Sequence, residues 1–167
     1  MVNATVARPG RGSAPEPEAE RVWRLLGSVM DPEIPVLSVI DLGIVRYVRG
    51  EAGQLRVGIT PTYSGCPATE VIERSIREAL AREGLSQVRV ETVLSPPWSS
   101  EWLTEEGRRK LRAFGIAAPT ARAASTVSCP RCGSRAIERV SEFGSTPCKA
   151  HYRCNACLEP FDVFKCI

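Results

Sequence analysis

Seven cysteines stand in a chain of 167 residues, and six of them fall within the last 39 positions. Four form two matched pairs, Cys129-Pro-Arg-Cys132 and Cys154-Asn-Ala-Cys157, with 21 residues between the pairs. One CxxC sets two sulfurs around a single ion with little chain strain. Two such pairs supply a closed tetrahedral site of four thiolates, which suits Zn2+. Iron in a rubredoxin-like site is the rival, because four sulfurs also accept iron. A redox CxxC would not require two matched pairs, and four merely reduced core cysteines would leave the spacing unexplained. Gly133, directly after the first pair, permits a tight turn whose amide N–H groups can face the sulfurs.

The stretch TPTYSGCPATEVIERSI (60–76) carries the one cysteine outside that cluster, Cys66. Pro67 follows it at once, and Ile72, Ile76 and Leu80 then recur at helical spacing, with Val71 and Ala79 beside them. If Pro67 is the first helical residue, Cys66 is the N-cap. Its sulfur would then meet unpaired amides and the positive end of the helix dipole, a setting that favours a thiolate able to act as nucleophile or soft-metal ligand. A small buried cysteine closing the turn is the plainer reading, and the local sequence does not separate the two. Cys148 and Cys166 are substitute ligands or free thiols, with simple burial the expected state of each. His151 is the single histidine. It could replace a sulfur, but four better-spaced cysteines are present, and a catalytic scheme on it alone is weak. The sequence carries no catalytic dyad, phosphate loop or cofactor fingerprint.

Composition fits this chemistry. An odd cysteine count without a secretion signal argues for metal or reactive thiols over a disulfide framework, and for a cytoplasmic location. No run approaches the roughly 18 apolar residues of a membrane span. Hydrophobic content of 43% with 25% charge allows a core. The net charge of +3 is too balanced, and the basic residues too dispersed, to argue for nucleic acid.

The elements that must position these thiols follow from periodicity. Residues 1–16 are rich in Pro, Gly, Ala and Arg and read as a disordered tail. Val22, Leu25, Leu26 and Val29 mark one face of a helix, with Trp23 and Met30 at its edge, that Pro32 should stop. GIVRYV and QLRVGIT read as strands joined by a hairpin at RGEAG (49–53), with Leu55, Val57 and Ile59 inward. The helix after Cys66 should run about 16 residues, to near Gly84. QVRVETVL should be a third strand with Val88, Val90, Thr92 and Leu94 inward. A short helix follows, capped by Ser99 or Ser100 and ended by Gly115. The predicted class is α+β: a small mixed three-stranded sheet covered by helices, in the order α-β-β-α-β plus a short helix, followed by a small β zinc ribbon. The expected divisions are a domain at 17–115, a linker at 116–126 and a ribbon at 127–167, the last too short to fold without a staple.

Three motifs resemble the signature of a known family: DPEIP (31–35), DLGIV (41–45) and TPTYSGCP (60–67). Together, over about residues 18–115, they resemble the iron–sulfur assembly proteins that include SufT, the small domain preceding the ATPase of Mrp/ApbC-type carriers, and the eukaryotic cytosolic iron–sulfur targeting subunit. PPWSSEWLTEEGRRKL (96–111) and EFGSTPCKAHYRC…PFDVFKC (142–166) extend the resemblance to the PaaD (PaaJ)-type accessory family, encoded with the multicomponent phenylacetyl-CoA epoxidase of aerobic phenylacetate degradation.

The resemblance implies a maturation factor that supports insertion of an iron–sulfur cluster, or of iron, into the epoxidase system, without catalytic activity of its own. The reductase, with its iron–sulfur cluster, and the oxygenase, with its di-iron site, are the implied clients. Cys66 aligns with the family's functional cysteine and is expected to hold iron or a cluster transiently. Asp31, Glu33, Asp41 and Thr60 fall on motif positions. Plainer roles exist: Asp31 can cap the turn before Pro32, and Asp41 can close an Asx turn before Gly43. One cysteine cannot complete a cluster's coordination, so a second copy in a homodimer, a client residue or a small thiol must share it. The alternative is a structural or electron-carrying subunit of the oxygenase, and a weaker one a nucleic-acid-binding ribbon.

Overall fold

A computed structural model describes residues 16–51, 54–118 and 127–165. The expected tail up to residue 15, most of the expected linker and Cys166 lie outside the described residues. The first unit follows the predicted order: α1 (Glu16–Leu26), β1 (Val45–Glu51), β2 (Gln54–Ile59), α2 (Ala68–Arg82), β3 (Arg89–Thr92), a 3-10 turn at Ser100–Trp102, and α3 (Glu105–Ala113). β2 is central, antiparallel to β1 and parallel to β3, so the sheet is mixed. α1 packs on β1 and on α2, and α2 packs on β3. The core holds Val22, Leu26, Val57, Ile59, Ile76 and Leu80, all within 1% exposure. Val45 and Val48 both point inward although they are three residues apart. An irregularity of register between Val45 and Tyr47 restores the phase that strict alternation would lose. The outer face is polar, with Tyr47 Oη donating to Glu91 at 2.7 Å and Arg56 paired to Glu91 at 3.2 Å.

Four local expectations are corrected. α1 ends at Leu26, not at Pro32: Gly27 and Ser28 unwind it through i→i+3 bonds, and Ser28 Oγ donates to Leu25 O at 2.7 Å. Thr92 and Leu94 are exposed: Thr92 is the last residue of β3, opposite Ile59 at the end of β2, and Leu94 lies beyond the strand. Val71 is 42% exposed, leaving Ala68, Ile72, Ile76 and Leu80 as the buried stripe of α2. Ser99 caps only the 3-10 turn, whereas α3 is capped by Thr104, whose hydroxyl accepts from the Gly107 N–H at 2.9 Å.

The second unit is a four-stranded sheet in the order β4-β7-β6-β5, with β4 (Ile116–Ala117), β5 (Ile137–Ser141), β6 (Lys149–Cys154) and β7 (Pro160–Phe164). β4 stands at the head of the expected linker yet pairs in parallel with β7. The two units share one core: Cys148 and Phe164 of the ribbon are buried in the first unit's cluster, and Phe164 meets Trp98 edge-on at 5.8 Å. Among the described residues no helix is long and apolar enough to cross a membrane.

Candidate metal centres

The two CxxC loops meet at one end of the ribbon. Gly133 turns with φ +75, its N–H bonding Cys129 O, and the Leu158 N–H bonds Cys154 O. These turns bring Cys129, Cys132, Cys154 and Cys157 together with their sulfurs all within 4.8 Å of one another. Cys129 and Cys157 are 3.7 Å apart, and Cys132 and Cys154 are 3.6 Å apart. Sulfurs bonded at about 2.3 Å around a tetrahedral ion stand about 3.8 Å apart, so the donors fit a single metal ion. Cys129 and Cys154 are buried, while Cys132 and Cys157 face solvent. The Cys157 and Ala156 amides hold the Cys154 thiol down to about 6. The Glu159 amide favours the Cys157 thiolate too, yet desolvation among the clustered sulfurs and those sulfurs themselves push that thiol up to about 12. Such opposition is expected of four crowded thiols, and a dication among them would remove it. His151 stands apart from them, with Nδ1 3.2 Å from Asp162 Oδ1.

Cys66 lies in a different place. The loop before α2 turns at Gly65, whose φ of +82 favours glycine, and the Cys66 N–H donates to Tyr63 O at 3.2 Å. The residue capping α2 is Pro67, and no side chain makes a capping bond. Cys66 stands one position ahead, its carbonyl accepting from the Thr69 N–H at 3.1 Å. It is half-buried and lines a small cavity with Asp31, Glu33, Thr60 and Cys148, against apolar walls that include Ile59, Ile72 and Phe164. The volume is about 20 Å3, room for a water or one ion.

Asp31 builds one rim. Its Oδ1 accepts from the Glu33 and Ile34 N–H groups at 2.8 and 2.7 Å, the turn-capping role open to it in sequence. Burial pushes its carboxyl up against those two bonds and against Lys149. Burial, then Asp31, push Glu33 up in the same direction. Thr60 is 2% exposed, and its hydroxyl has no hydrogen-bond partner. The Tyr63 hydroxyl is likewise buried, beside the Cys66 thiol. Burial and then the neighbouring Cys66 thiol push Tyr63 up to about 12. Cys148 arrives from the ribbon, with Sγ 3.9 Å from Glu33 Oε2 and 3.0 Å from Thr146 Oγ1. Burial raises this thiol too.

Asp41 is not among the residues lining this cavity. It ties α3 to the loop before β1: Oδ2 accepts from Ser38 N–H at 3.0 Å, Ser38 Oγ at 2.9 Å and Lys110 Nζ at 2.7 Å. Although burial opposes ionisation, Lys110 and Ser38 hold its carboxyl below the usual range. The motif positions thus divide: Asp31, Glu33, Thr60 and Cys66 share the cavity, and Asp41 braces the scaffold. Cys148 is buried as expected, but its place on this cavity was not foreseen, nor was the place of Tyr63 beside Cys66. Tyr63 lay within the cysteine motif, but nothing local in STPCKA says that Cys148 faces a loop 115 positions away.

Residues 117–165 match the PaaD zinc β-ribbon domain, and residues 19–94 match the iron–sulfur cluster assembly protein family. A protein of Escherichia coli K12, provisionally named as one of the subunits of 1,2-phenylacetyl-CoA epoxidase, is 47% identical over 156 residues, covering 90% of this chain and 94% of that one. An Fe-S protein maturation auxiliary factor of Porphyromonas gingivalis is 34% identical over 94 residues, 55% of this chain and 89% of its own. The crystal structure of a DUF59 domain from Bacillus anthracis superposes with a TM-score of 0.53 at 25% identity, over 57% of this chain and 92% of that one.

Proposed function

This chain belongs to the PaaD family, and on that footing we propose that it is a maturation factor carrying iron or an iron–sulfur cluster on Cys66 to a component of a 1,2-phenylacetyl-CoA epoxidase. The observation that carries the reading is the cavity itself. A half-buried thiol opens into it beside two carboxylates and an unpartnered buried hydroxyl, within the segment that matches the assembly family. Thiolate and carboxylate together suit iron, and a site with few ligands suits a cargo that must leave. The client is the reductase or the oxygenase of the epoxidase, met in the cytoplasm.

The four ribbon cysteines hold one Zn2+ in this reading. The ion has no redox chemistry and serves as the staple that a four-stranded sheet with a small core needs. The ribbon also supplies Phe164 and Cys148 to the first unit, so the metal supports the cavity at a distance. The name of the Escherichia coli relative favours a second reading, a resident subunit of the epoxidase. The test is Cys66→Ala in cells that make the epoxidase. The variant should stay folded and keep its zinc, while the client's iron content falls. A client with full iron would overturn the proposal.

A further inference from the structure

We propose that Cys148 and Glu33 join Cys66 in a second metal site, separate from the four ribbon cysteines, that binds one ferrous ion as cargo in the cavity between the two units. This rests on the reading of the chain as an iron-handling factor and deepens it, because it names the ligands and fixes the cargo as a single ion.

Three observations lead to it. The first is geometry. Cys148 Sγ and Glu33 Oε2 are 3.9 Å apart across the junction. Sulfur and oxygen bonded to one tetrahedral ion at about 2.3 and 2.1 Å stand about 3.6 Å apart, so this pair needs little movement to share an ion. The second is an unmet polar group. Thr60, 2% exposed, lines the same cavity and has a buried hydroxyl without a partner, which a metal-bound water within reach would satisfy. The third is space. About 20 Å3 admits one water or one ion.

The surroundings suit a weak-to-moderate site for a borderline-soft dication. Two thiolates and a carboxylate bring three negative charges to an ion of two. Buried Lys149, held 3.7 Å from Asp162, stands behind as a counter-charge. Thr146 Oγ1, 3.0 Å from Cys148 Sγ, can donate to the thiolate, and the Lys165 N–H fixes the Cys148 carbonyl at 2.9 Å. Asp31 stays an orienting residue, since its Oδ1 is committed to the Glu33 and Ile34 amides and sets the loop that presents Glu33. In this site the second thiol of a one-cysteine carrier comes from within the chain, with Cys66, Cys148 and Glu33 drawing together on the ion from their places around the cavity, and binding depends on the ribbon being docked.

The test uses the full-length chain with its ribbon zinc in place, titrated without oxygen with Fe2+, and with Co2+ as a coloured probe of thiolate ligation. Wild type should take one further equivalent, with two sulfurs in the Co2+ spectrum. Cys148→Ser, close in size, should lose one sulfur from the spectrum. It should also bind more weakly by more than the roughly 10–100-fold that loss of a mere outer-shell partner costs. Glu33→Gln should weaken binding and keep both sulfurs. Unchanged zinc content and far-ultraviolet dichroism establish that the variants fold. If Cys66→Ala abolishes the second equivalent and Cys148→Ser leaves affinity and spectrum untouched, the inference is overturned and the maturation reading stands. If wild type takes no second equivalent, the inference is also overturned, and the client's iron content with Cys66→Ala then decides the maturation reading separately.

Discussion

Cys148 Sγ stands 3.9 Å from Glu33 Oε2, a contact across 115 positions that links the ribbon to the rim of the Cys66 cavity. It means that the two units are not independent beads. Lys165 N bonds Cys148 O at the end of β7, and Phe164, the residue before it, packs on Trp98. Whatever holds β6 and β7 together also holds one wall of the cavity.

The ribbon metal is therefore predicted to have a distant effect. Cys154→Ser should release zinc, measured by elemental analysis, and unfold the ribbon. Trp98 should lose its Phe164 neighbour, with a red shift of tryptophan emission. Serine variants of all four cysteines that each retain one equivalent of zinc would contradict the ligand assignment.

The aromatic junction should be expensive to remove. Phe164 is 1% exposed, and Phe164→Ala should destabilise the chain by about 3–5 kcal/mol, read from denaturant unfolding. The loss should fall on both units together. A second transition appearing for the ribbon alone, with the first unit unchanged, would show that the shared core does not couple them.

Asp41 should matter for stability and not for cargo. Its carboxyl is held below its ordinary value in the fold, so its contribution is full above the unfolded value near pH 4 and is lost as pH falls through the folded one. Asp41→Asn should lower stability at neutral pH by roughly 1–3 kcal/mol and flatten the acid limb of the stability profile. Client iron per folded molecule should stay the same.

Much of this architecture was legible in the sequence because its signals are local. The alternation of Leu55, Val57 and Ile59, the helical stripe Ile72-Ile76-Leu80 and the paired CxxC spacing each report a short-range physical requirement, and each is seen in the structure. What failed locally were boundaries: α1 stops at Gly27 because glycine weakens a helix before proline can end it, and Thr92, the last residue of β3, is exposed opposite Ile59 at the end of β2. The cavity was half legible. Asp31, Glu33, Thr60 and Cys66 lie in motifs, but Cys148 reaches them only through the docking of β7 on Trp98, a long-range event with no periodic trace.

The measurement that bears most directly on the central claim is made on the client, not on this chain. Epoxidase components are purified, free of this protein, from cells that contain the wild type, the Cys66→Ala variant or neither, and their iron and turnover of phenylacetyl-CoA are determined. The account predicts full iron and full turnover after maturation with wild type, although the factor is gone, and low values of both in the other two preparations. Activity that returns only when this protein is added back to fully metallated enzyme would contradict it and establish a resident subunit.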